Sequence, residues 1–203
     1  MQTDIRFDPP PALRARLEAM HAEAHRHYHT LAHVQALLGW LARWRHLAGK
    51  PRLIEAAIWF HDAVYDTHRD DNEARSAESA RHELRALAWP EADVARVVAM
   101  VRATRHHAVA VAETDTLLFL DLDLSVLGQP TTVYDAYSEA VRAEYAWVEP
   151  TRYRAARAGV LHGFLCRTEM YRTPSLRDAW EGAARANLVR ELQTLGGAAG
   201  QTG

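Results

Sequence analysis

The placement of proline constrains this chain most. Proline fixes φ at about −65° and lacks an N–H, so it suits the first helical turn and interrupts regular structure elsewhere. The chain has 8 Pro in 203 residues. Apart from the run at Pro9, Pro10 and Pro11, each stands at the head of a segment with helical spacing. Pro11 precedes "ALRARLEAMHAEAH" and Pro51 opens "RLIEAAIWFHD". Pro90, Pro130 and Pro150 open "EADVARVVAMVRATRHH", "TTVYDAYSEAVRAEYAW" and "TRYRAARAGVLHGFLCRTEMY", and Pro174 opens a last helix to about Leu195. Three more segments begin at capping residues. Thr30 precedes "LAHVQALLGWLARWRHLA", which closes at Gly49; Asp71 precedes "NEARSAESARHELRALA"; Thr114 precedes "DTLLFLDLDLSVLG", closed by Gly128. Strand alternation is missing, because Val and Ile are outnumbered by Ala, Leu and Arg. The expectation is an all-α fold, one helical domain over residues 1–195 with a frayed tail at 196–203.

Composition narrows the partners. A hydrophobic share of 48% supports one sizeable core. The net charge is −2, with 24 Lys+Arg against 26 Asp+Glu, so no broad basic footprint for a nucleic-acid polymer is present. A single cysteine, Cys166, excludes an internal disulfide framework and suits a reducing compartment. "MQTDIRFDPP" lacks a signal pattern, and no apolar run reaches the roughly 18 residues of a membrane span. A cytoplasmic protein without a membrane partner is expected, and a homodimer is left open.

Four clusters carry possible chemistry. The apolar run "AIWF" is followed at once by His61 and Asp62, an imidazole and a carboxylate at a helix end. Both side chains bind divalent metals. The segment "HRHYHTLAH" holds His25, His27, His29 and His33 among the chain's 12 His. His29 and His33 are four apart, a spacing that shares one helix face. Thr30 stands where a zinc protease of the HExxH type needs its glutamate, which rules that reading out. A third cluster, "LLFLDLDLSVLG", places Asp121 and Asp123 in an otherwise apolar helix. A buried carboxylate needs a cationic partner, so either an arginine or a metal is implied. The two aspartates point about 200° apart on a helix, so they serve different purposes. The fourth cluster is "ATRHH", with His106 and His107 at a helix C-terminus, where the helix dipole alone favours them.

Together these segments resemble the HD superfamily of metal-dependent phosphohydrolases, in which a His, a His-Asp pair and a distant Asp follow in that order. The similarity is closest to a bacterial family of predicted HD phosphohydrolases. It rests on "YHTLAH", "AIWFHDAVYD", "DNEARSA", "ATRHH" and "FLDLDLSVLG", continues through "VRAEY" and "VLHGFLCRTEMYRT", and spans residues 25 to 190. The resemblance implies an all-helical HD-type bundle around a central metal. His33, His61 and Asp62 are then ligands, with either Asp123 or Asp121 as the last. "HDAVYD" is also similar to the HDxxED of guanosine-tetraphosphate hydrolases. That puts Asp66 in the place of an acid near the attacking water, while Tyr65 replaces their glutamate.

On this resemblance the expected activity is hydrolysis of a small phosphorylated metabolite, a nucleotide among the candidates, by water activated on a divalent ion (Mn, Fe, Co, Ni, Zn or Mg). Asp66 or Glu73 would hold or deprotonate the water. His29 and His107 would assist the phosphate, bind a second metal or orient a ligand. Arg105, Arg142 and Arg157 are the candidate cations for phosphate. The alternative is a metal-containing helical binding or regulatory module with little turnover.

Overall fold

A computed structural model describes residues 6–107 and 113–197. Those residues form nine α-helices joined by short loops and two 3-10 turns, and no strand occurs among them. The helices are α1 (Pro11–His21), α2 (Leu31–Trp44), α3 (Pro51–Phe60), α4 (Asn72–Ala86), α5 (Glu91–Ala103), α6 (Thr114–Asp123), α7 (Thr131–Glu144), α8 (Pro150–Leu165) and α9 (Pro174–Gly197). The fold is all-α, as the periodicity implied. No helix among the described residues is long and apolar enough to cross a membrane. The chain makes two compact units, residues 1–122 and 123–203.

Several ends differ from the sequence reading for local reasons. α1 stops at His21, before "AEAH", which runs as loop. α2 gives way at Arg45–Leu47 to a 3-10 turn. Thr30 holds the N-cap position with an extended backbone but makes no side-chain cap bond. Asp71 precedes α4, yet its carboxylate is taken by Arg69, at 2.7 Å from both Nε and Nη2. "LSVLG", read as helix, tightens into a 3-10 turn after α6. The expected tail lies mostly outside the described residues.

In the first unit α3 is the centre, packed against α2, α4 and α5. Every residue from Leu53 to Phe60 is buried, because this helix is apolar on all faces. Full burial of Leu53, Ile54, Ile58 and Phe60 contributes roughly 1.5–3 kcal/mol each. One charge interrupts the run. Glu55 accepts from the Phe7 backbone at 2.6 Å and from Arg45 at 2.7 Å, so the acid is paired. Phe7 then packs edge-on against Trp89, which docks the segment before α1. At the other end, the buried Asp115 of α6 accepts from Gly49 N and Lys50 N at 2.7 and 2.9 Å, fixing the entry to α3.

In the second unit α9 lays a stripe of Leu176, Trp180, Ala184, Leu188 and Glu191 inward, a spacing of three and four. Asn187 donates to the carbonyls of Leu127 and Gln129, both at 2.9 Å, holding the 3-10 turn to α9. Gly128 is required there: a Cβ would meet Trp180 Cβ at 2.5 Å.

Candidate metal centre

The end of α3 and the start of α2 bring three sequence-predicted residues together. His61 caps α3, its N–H bonded to Ala57 O at 2.9 Å, and Asp62 follows in the turn. His33 is the third residue of α2. One ligand atom from each of His33, His61 and Asp62 lies within 4.8 Å of the others, so the group can hold a metal ion. Both imidazoles are buried, at 7% and 1% exposure, whereas the Asp62 side chain is 18% exposed. That difference gives the group a buried wall and a wetter side.

Hydrogen bonding fixes which nitrogen faces the group. His61 Nδ1 lies 2.9 Å from Ile58 O. A carbonyl only accepts, so Nδ1 carries the proton and a neutral ring has its lone pair on Nε2. That Nε2 lies 3.2 Å from His33 Nε2 and 3.0 Å from Asp62 Oδ2. A lone pair facing a carboxylate oxygen at that distance is repulsive unless a proton or a cation lies between them. The second-nitrogen bond to a carbonyl is the usual support of a metal-binding imidazole. Phe119 of α6 stands edge-on to the His61 ring at 5.8 Å, closing its apolar side.

The other predicted residues fall in different places. Asp121 is buried in α6 at 2% exposure, and the half-buried Asp123 is the last residue of that helix and the first of the second unit. His29 does not share a helix with His33 as its spacing suggested, because α2 begins at Leu31. Its ring nevertheless lies 6.0 Å from that of His33 and stacks on Tyr65 at 4.2 Å. Tyr65 thus supplies an aromatic contact to His29. Asp66 accepts from both the backbone and Nδ1 of His68 through Oδ1. The His68 N–H chiefly holds its carboxyl below the usual range. Glu73 is half-buried in the first turn of α4. Neither acid belongs to the three-residue group among the described residues.

Arg105 is exposed in the turn after α5, and His107 there adopts a left-handed backbone with φ 46°. Arg142 donates to the carbonyls of Tyr145 and Val148 and lies over Tyr153, so it closes the end of α7. Arg157 is committed to Glu191, with Nε and Nη2 at 2.8 and 3.0 Å from its oxygens. Both arginines are candidate cations for phosphate, and here their guanidinium groups bond groups of the second unit. Charge pattern alone does not separate a buried guanidinium from an exposed one.

Four residues around the centre escaped the sequence reading. Arg26, with a side chain 0% exposed, contacts both segments that carry the group. Ser76 is fully buried and bonds the backbone of Val64 through both N–H and C=O. Asn72 does the same for Asp66. His21 ends α1, with Nε2 3.2 Å from Trp59 O, and burial lowers its pKa to about 4. Ser76 and Asn72 lie within "DNEARSA", so that segment clips the loop after Asp62 to α4. Their signal, small polar residues on a buried helix face, is common to many helices.

A separate cavity of about 460 Å³ is lined by Phe7, Leu38, Trp59 and five charged groups among others. The three-residue group is not part of its wall. Its acids are already paired, Glu55 with Arg45 and Asp8 with Arg14. Comparison with protein-family models, curated proteins and solved structures gave no match for this chain.

Proposed function

We propose that this chain is an HD-type metal-dependent phosphohydrolase acting on a small phosphorylated metabolite, a nucleotide among the candidates. The observation that supports it is the convergence of His33 Nε2, His61 Nε2 and Asp62 Oδ2 with the His61 proton held away on Nδ1. Two imidazoles and one carboxylate leave coordination positions free, which a hydrolytic site needs. A divalent ion held there supplies an acidified water and a polarised phosphoryl oxygen. The resemblance adds a carboxylate from α6, and Asp121→Asn and Asp123→Asn variants in a metal titration tell which one.

The chain's own acids divide the remaining work. A carboxylate held below its usual range accepts a proton poorly, so Asp66 suits orienting a water through its oxygens. Glu73, half-buried beside the clipped loop, is the better candidate base. Tyr28, His29 and Tyr65 form an aromatic cluster next to His33 and suit a flat group attached to the phosphate. Arg105 remains the candidate cation for the phosphate.

The test is elemental analysis of purified protein, followed by a panel of nucleotides and phosphomonoesters with wild type and Asp62→Asn. Metal-dependent phosphate release by wild type, lost in the variant, is expected. Metal at one equivalent with no release across the panel would favour the binding or regulatory module instead.

A further inference from the structure

The candidate centre has an assembly problem. Its imidazoles come from two helices, and His33 and His61 are separated by 28 positions in the chain. Their Nε2 atoms must still meet within a few tenths of an ångström of one spacing. A metal site that is loose by about 1 Å loses its geometry. The two helix ends therefore need a tie that is shorter than the intervening chain.

Arg26 is placed to be that tie. Nη1 donates to His29 O at 3.0 Å, at the entry to α2, and to Asp62 O at 2.6 Å, at the exit of α3. Nη2 donates to Ala63 O at 3.1 Å, the next carbonyl along. Nε bonds Glu23 at 2.9 Å, which balances the charge. The guanidinium face lies 5.4 Å from the Tyr65 ring, and that ring stacks on His29. A buried guanidinium is costly unless its donors are used, and here they are spent on the backbones of the two ligand-bearing segments.

We propose that Arg26 is a positioning residue of the metal centre: by bonding the carbonyls of His29, Asp62 and Ala63 it sets the separation of His33 from His61 and Asp62. This rests on the metal-binding reading above. The planar fork is essential, because three carbonyls on two segments are reached from one rigid group. A lysine ammonium keeps the charge but offers one point of contact.

The experiment uses the full chain, stripped of metal and titrated with Zn²⁺ and Mn²⁺ against a chromophoric chelator. Wild type is compared with Arg26→Lys and Arg26→Ala, with circular dichroism of each metal-free protein. Outer contacts of this kind change metal affinity roughly 10–100-fold, and that weakening is expected in both variants while helicity is retained. Guanidinium ion at a non-denaturing concentration should restore much of the affinity of Arg26→Ala, while equal sodium chloride should not. Affinities equal to wild type in both variants would overturn the proposal and leave the metal reading intact. Unfolding of both variants would also overturn it, since Arg26 would then support the unit at large. Failure of wild type to bind either ion would remove the metal reading itself, and this inference with it.

Discussion

Replacing His61 by phenylalanine separates metal binding from folding more cleanly than any other single change. The ring is 1% exposed and sits edge-on to Phe119, so a phenyl group of similar size keeps the apolar packing. It loses the bond from Nδ1 to Ile58 O at 2.9 Å, worth about 1 kcal/mol, and it loses Nε2, which faces His33 and Asp62, as a ligand. The metal-free proteins should therefore differ little in melting temperature. The metal-bound ones should differ a great deal. An ion present at about 100 times its dissociation constant stabilises the native state by about 2.7 kcal/mol. For a chain of 203 residues, 1 kcal/mol shifts Tm by about 2–4 °C, so the expected metal-induced rise is about 5–11 °C. Differential scanning calorimetry of chelator-treated protein, with and without Mn²⁺, Co²⁺, Ni²⁺ or Zn²⁺, measures it. The rise should appear in wild type and vanish in His61→Phe. An equal rise in both proteins would place the ion elsewhere and refute the reasoning.

Ser76→Ala removes the side-chain partner of the N–H and C=O of the half-buried Val64, which costs about 1 kcal/mol; urea unfolding reads the loss, and hydrogen exchange should accelerate at the Val64 amide. His21 gives a pH dependence. Burial lowers its folded pKa from 6.5 to about 4, so the unfolded chain binds the extra proton between those values. Its contribution therefore makes the unfolding free energy fall as pH drops from 6.5 to 4, by roughly 3 kcal/mol in all, and His21→Leu should flatten that slope in urea titrations. Arg157→Met strands the buried Glu191 and should cost about 3–5 kcal/mol, while Arg157→Met with Glu191→Leu should regain most of it. Burial by itself would raise the Glu191 carboxyl, but the Arg157 bonds keep it below its ordinary 4.5. That contribution is present above pH 4.5 and is lost as the pH falls through the lower folded value.

The helical class and most helix starts were legible because they depend on local rules. Proline at Pro51, Pro90, Pro130, Pro150 and Pro174 stands at or just before a helix start for a reason internal to the backbone. His61 and Asp62 were also legible, because an apolar α3 delivers them and burial on all faces leaves its end at the core. The convergence with His33 was legible only through the resemblance, since 28 residues of separation carry no local signal.

What the tertiary structure alone decided is how each polar group is spent. Sequence places three arginines as equal candidates for phosphate, and packing assigns Arg157 to Glu191 and Arg142 to the end of α7 while leaving Arg105 exposed. It hides Arg26 among carbonyls that no pattern pairs with it. It also turns the His61 proton toward Ile58 O and the lone pair toward His33 and Asp62. Helix period and proline act over a few residues and can be read along the chain. Hydrogen-bond partners are chosen by proximity after burial, so they exist only once the helices have packed.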